Sequence, residues 1–156
     1  MHSNIFQISD KPISEGNFLY PEYFYEDAHD FADYIGDEYE DEARTEKIQL
    51  FAEHYKDLFD LDGEVLVFKG LGTFLHDWAE ALKEAADKLN EDNILKELNL
   101  YRLERMTQTT HTDNDARFFI EDWNCYAGDF GDFISWLSHL DVGTRLYVGA
   151  VIDFHF

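Results

Sequence analysis

TRLYVGAVIDFHF, residues Thr144 to Phe156, is the stretch that decides the fold. Leu146, Val148, Ala150, Ile152, Phe154 and Phe156 alternate without a break, so the segment reads as a β-strand with one wholly apolar face. Arg145 with Tyr147, and Asp153 with His155, fall on the intervening positions. A strand of this kind needs a layer to pack against, and the rest of the chain supplies amphipathic segments for it.

Working outward, SNIFQIS (3–9) is a second strand, with Asn4, Phe6 and Ile8 on one face and Ile5 and Gln7 on the other. Beyond Pro21, Phe24, Ala28, Phe31 and Ile35 recur at i, i+4, i+7 and i+11, the stripe of a helix. A second helical pattern runs through Ile48, Phe51, Ala52, Tyr55 and Phe59 to the turn at Asp62-Gly63. EVLVFKG (64–70) is a buried strand. Thr73 is placed to N-cap a third helix with Phe74, Trp78, Leu82, Ala85 and Leu89 inward.

Residues 91–110 divide into helix up to Leu98 and strand from about Asn99, which pairs through the turn HTDND (111–115) with ARFFIEDW (116–123). Asp129 and Asp132 have the spacing of an N-cap and its N3 partner, opening a last helix over Phe133, Ile134, Leu137 and Leu140 that Gly143 ends. The expected order is β-α-α-β-α-β-β-α-β. It describes one α+β domain over residues 1–156, a small mixed or mainly antiparallel sheet packed with about four helices, without a linker. Phe24, Phe31, Phe74, Trp78, Ile134, Leu137, Val148 and Ile152 are the expected core.

The charge is lopsided: 34 acidic residues stand against 12 basic ones, a formal −22 where magnitudes of about 2–8 suffice for solubility. Such a field repels nucleic acid and anionic membranes, and phosphate contacts are made by Lys and Arg, here 12 against 34 acidic residues. From Glu22 to Glu46 there are eleven Asp or Glu and one basic residue, Arg44. Solvated helices usually interleave Glu with Lys one turn apart, and here like charges fall at that spacing instead. On the expected first helix Glu26, Asp30, Asp33 and Asp37 sit about 200° from the apolar stripe, a ladder of carboxylates facing solvent.

The candidate partner-binding residues are Glu22, Glu26, Asp30, Asp33, Asp37, Glu38, Glu40 and Asp41, with Tyr23, Tyr34 and Tyr39 adding contact area at low entropic cost. A row of carboxylates on a scaffold can stand in for phosphates towards a cationic groove. In charge and size class the chain is similar to small acidic inhibitors of nucleic-acid-binding proteins, such as antirestriction proteins, some anti-CRISPR proteins and nuclease immunity proteins. The expected function is therefore non-enzymatic: an acidic surface offered to a basic, nucleic-acid-binding protein, as a DNA mimic or a nuclease-neutralising partner.

Two other readings compete. Asp153 beside His155, with Glu121 and His111 nearby, is raw material for a small metal-dependent or acid–base enzyme. An ordinary interaction domain, acidic because of a salty or crowded habitat, is the third. No metal or cofactor is expected. HTDND and DLDGE (60–64) have turn chemistry without a full ligand set, and the seven histidines form no HExxH or HxxxH pattern. One cysteine, Cys125, fits a reducing compartment, and neither a leader nor an apolar span is read, so the expected location is the cytoplasm.

Overall fold

A computed structural model describes residues 1–26, 28–96, 98–108 and 116–156. Its centre is one mixed sheet of six strands: β1 (His2–Ser9), β2 (Tyr34–Glu38), β3 (Phe59–Asp62), β4 (Val65–Phe68), β5 (Arg117–Ile120) and β6 (Arg145–His155). The strand order is β3-β4-β6-β1-β5. β6 runs antiparallel to β1 along its whole length, and its other edge is shared by β4 at the start and β2 at the end. β5 joins β1 in parallel. Helices α1 (Asp41–His54), α2 (Phe74–Asp87), α3 (Asn99–Gln108) and α4 (Phe130–Leu137) complete the α+β fold, with 3₁₀ turns at Glu15–Asn17, Pro21–Phe24 and Ala28–Asp30.

The fold-deciding strand is present, but its apolar residues do not share one face. Phe6 pairs with Val151 and Ile8 with Val148, so β6 has one residue more than β1 between these pairs, a β-bulge at Gly149-Ala150. The bulge flips the alternation. Leu146, Val148 and Val151 enter the core formed with α1 and α4, whereas Ala150, Ile152 and Phe154 enter a second core on the opposite face. A sheet with two buried faces results, the second covered by the 3₁₀ segment through Phe18, Phe24, Phe31 and Ile35.

Buried polar groups hold the bulge. Gln7 Oε1 accepts from the amides of Ala150 and Leu19, each at 3.0 Å, while its Nε2 donates to Asn17 O and Glu121 Oε1. A Cβ on Gly149 would lie 2.4 Å from that Gln7 oxygen, so only glycine fits. On the outer edge of β6, between the ends of β4 and β2, no strand among the described residues pairs with it. There the buried Arg44 of α1 donates from Nε to Gly149 O at 2.6 Å and from Nη2 to Val148 O, and Nη1 pairs with Glu64 Oε2 at 2.6 Å. The guanidinium supplies the donors that a neighbouring strand would.

Three expected elements are corrected. In place of the first helix, Pro21–Phe24 and Ala28–Asp30 are 3₁₀ turns and Tyr34–Glu38 is a strand; Phe24 and Ala28 are nonetheless buried and Phe31 and Ile35 half-buried, because a turn of three residues returns to the same side almost as a helix does. The helical run through Tyr55 stops at His54, and Phe59 begins β3, which forms a hairpin with β4 across Gly63 at φ +66°. Asn99–Gln108 is helix and not strand, since LYRLERM is rich in helix formers and pairs Leu103 and Met106 against α2; β5 takes β1 as its partner instead.

The capping box of α4 is as read, with Asp132 N donating to Asp129 Oδ1 at 3.0 Å and Asp129 N to Asp132 Oδ2 at 3.2 Å. Thr73 does precede α2, but its hydroxyl donates to Asp77 and caps nothing. Of the expected core, Phe24, Ile134, Leu137, Val148 and Ile152 are buried, while Phe31, Phe74 and Trp78 are half-buried.

An acidic face as the candidate functional site

With the expected helix replaced by turns and β2, the carboxylates do not form a straight ladder. They are spread over successive short elements: Glu22 with Tyr23 on the turn that Pro21 opens, Glu26 and Asp30 beyond it, then Asp33, Tyr34, Asp37 and Glu38, and finally Tyr39, Glu40 and Asp41 leading into α1. All eight named carboxylates are exposed, as are Tyr23 and Tyr34, and Tyr39 is half-buried. Each tyrosine has an anchor. Tyr23 meets Phe24 and Phe119 edge-on at 5.2 and 5.3 Å, and Tyr34 stacks on the His155 ring at 5.2 Å.

Glu38, Tyr39, Glu40 and Asp41 are brought together around a cleft of about 590 Å³ between α1 and the segment from Glu15 to Tyr20. Glu42, Glu15, Phe18 and Tyr20 line the same cleft and were not singled out from the sequence. Glu42 belongs to the same acidic run, and Tyr20 adjoins Pro21 at its edge; nothing in the sequence brings Glu15 across to α1. Arg44 forms the floor, its guanidinium 5.0 Å from the Phe18 ring centroid.

The electrostatics follow from where the cation points. Arg44 is turned inward and committed to Val148, Gly149 and Glu64, so it does not offset the carboxylates outside. Among the eight, Asp33 lies beside an imidazole, its Oδ2 3.4 Å from His155 Nδ1. Glu64, by contrast, receives the Thr45 hydroxyl and the Arg44 guanidinium, which hold its carboxyl below the ordinary range. Tyr39 is pushed up to about 12 by burial and by the Asp153 carboxylate, to which its hydroxyl donates at 3.2 Å.

Asp153 and His155 share a face at the end of the sheet, opposite to that of Arg145 and Tyr147 because of the bulge. Asp153 Oδ2 is 3.0 Å from His2 Nδ1. Glu121 is engaged elsewhere, with Gln7 at 2.8 Å, and His111 with the rest of HTDND lies outside the described residues. In DLDGE each carboxylate has a cation: Asp60 with Lys69, Asp62 with Arg145 and Glu64 with Arg44. Among the described residues no three His, Cys, Asp or Glu side chains form a group able to hold a metal, and no helix is long and apolar enough to cross a membrane.

Comparison of the chain with protein-family models, curated proteins and solved structures finds no match.

Proposed function

We propose that this chain is a non-enzymatic binding protein of the cytoplasm that presents its acidic, tyrosine-bearing face to a basic protein and competes there with nucleic acid. The observation that carries the reading is the orientation of Arg44: the eight candidate carboxylates and Tyr23, Tyr25 and Tyr34 are exposed, while Arg44, the one Lys or Arg of residues 22–46, is buried against backbone carbonyls. With eleven acidic residues against one basic in residues 22–46, their field towards solvent stays strongly negative even with Lys47 over the Tyr39 ring and Arg117 over the Phe31 ring. A basic groove built for phosphates would be steered to it, and the exposed rings add apolar contact that a phosphate backbone lacks.

The test uses immobilised protein and the heparin-binding fraction of a host lysate. A retained protein that duplex DNA displaces supports competition for one groove. Its association with the variant E26Q/D30N/D33N/D37N is expected to be slower than with the wild type and less sensitive to salt. Retention of nothing, or of a protein that DNA does not displace, would refute the mimic.

A further inference from the structure

Among the described residues three strands of the sheet, β2, β3 and β5, have an outer edge, and each edge is left in a different state. At β5 the chain supplies the partner itself: Phe118 N donates to Gly128 O at 2.9 Å, Gly128 N returns the bond at 3.0 Å, and Ile120 N donates to Asn124 Oδ1 at 2.8 Å. At β3, Phe59 N donates to Tyr55 O at 3.0 Å, and both carboxylates of the strand are held by cations, Asp60 3.2 Å from Lys69 Nζ and Asp62 2.9 Å from Arg145 Nη2. Neither device is found at β2. Among the described residues β6 is its one strand neighbour, no hydrogen bond reaches the backbone of its other edge, and the exposed Asp37 and Glu38 have no Lys or Arg partner.

An open edge is a row of unpaired amides and carbonyls that another extended chain can continue, and the side chains along it decide which chain comes close. Residues 26–41 carry eight Asp or Glu and no Lys or Arg. Carboxylates of one sign guard the edge selectively. They repel a second copy of the same edge, and they attract an extended segment that bears Lys or Arg at alternate positions, since opposite charges on adjoining strands lie about 5 Å apart at Cβ. Tyr34, 50 % exposed and stacked on His155, adds a ring beside which a cationic side chain can lie. The five residues of β2 give such a segment about 17 Å of edge, at about 3.3 Å per residue.

We propose that the basic partner docks on the outer edge of β2, adding an extended, Lys- or Arg-bearing segment to the sheet as a further strand. This rests on the function proposed for the acidic face and narrows it. Backbone hydrogen bonds to Tyr34–Glu38 fix the register of the partner, and the surrounding carboxylates select the sign of its charge.

The test takes the full chain and two probes, the capped peptide KVKTKVK and its analogue N-methylated at every residue, which keeps each charge but donates no backbone hydrogen bond. Amide hydrogen exchange is followed residue by residue at low ionic strength. At saturation the parent peptide should slow exchange within Tyr34–Glu38 by about tenfold or more, and the analogue should bind about tenfold more weakly or worse and protect nothing there. Equal binding of the two peptides without protection of β2 would overturn strand addition and leave the acidic face to act through charge alone. Protection of β3 or β5 in place of β2 would overturn it too, as would binding of neither peptide while the lysate protein that duplex DNA displaces is still retained. The two readings fail separately: a retained basic protein that DNA does not displace refutes the mimic, whereas protection of β2 by the parent peptide still supports the docking edge.

Discussion

Arg44 illustrates how one residue can be misjudged from its neighbours. In the sequence it is the single counter-charge of an acidic run; in the fold it closes a gap in the sheet. Replacing it with Leu strands two buried carbonyls, at about 1–3 kcal/mol each, so unfolding in urea should show a loss of about 2–6 kcal/mol. Arg44→Lys should fall between, since one ammonium cannot span the acceptors that the planar fork reaches. A Leu variant within about 0.5 kcal/mol of wild type would deny the staple. Tyr39 gives a second check at this scale. Its folded-state value near 12 lies above the ordinary 10, so the neutral phenol adds stability below pH 10, and that contribution is lost as pH climbs from 10 to 12. Near-ultraviolet titration should show a last phenolate step near pH 12 that Tyr39→Phe removes.

At the level of elements, what was legible was burial, and what was not was conformation. Phe24, Ala28, Phe31 and Ile35 do face the core at helical spacing, yet 3₁₀ turns and β2 achieve this without an α-helix. The like charges and Gly36 in the segment disfavour one. The strict alternation in β6 was read correctly as a strand, but with Val151 as apolar as its neighbours the bulge shows in the sequence only as Gly149 inside the strand. The capping box at Asp129 and Asp132 was legible because its chemistry is local. Glu15 was not, because only the fold carries it to α1. Among the described residues Glu26, Asp30, Asp33 and Asp37 make no ion pair with Lys or Arg, so E26Q/D30N/D33N/D37N should fold normally and be as stable as wild type or up to about 1 kcal/mol more so, by thermal unfolding. A loss above about 1 kcal/mol would mean that the carboxylates support the turns.

Over the whole molecule, the formal charge of −22 sets a global strain on the folded state. The melting temperature should therefore rise with NaCl by a few degrees before it levels off, with about 2–4 °C expected per kcal/mol. The fourfold amide variant should show a smaller rise. A melting temperature indifferent to salt would imply that the charges are too far apart to feel one another. The order of the strands has a further consequence, for synthesis. β6 touches β1, β2 and β4, yet it follows all of them along the chain. At about 5–20 residues per second, roughly 7 to 29 s separate the translation of β1 from that of β6. Throughout that interval the nascent chain displays β1 without its antiparallel mate, an invitation to sticking between neighbouring ribosomes. Residues 22–46 are translated before β6, and repulsion between their carboxylates opposes contact between such unfinished chains.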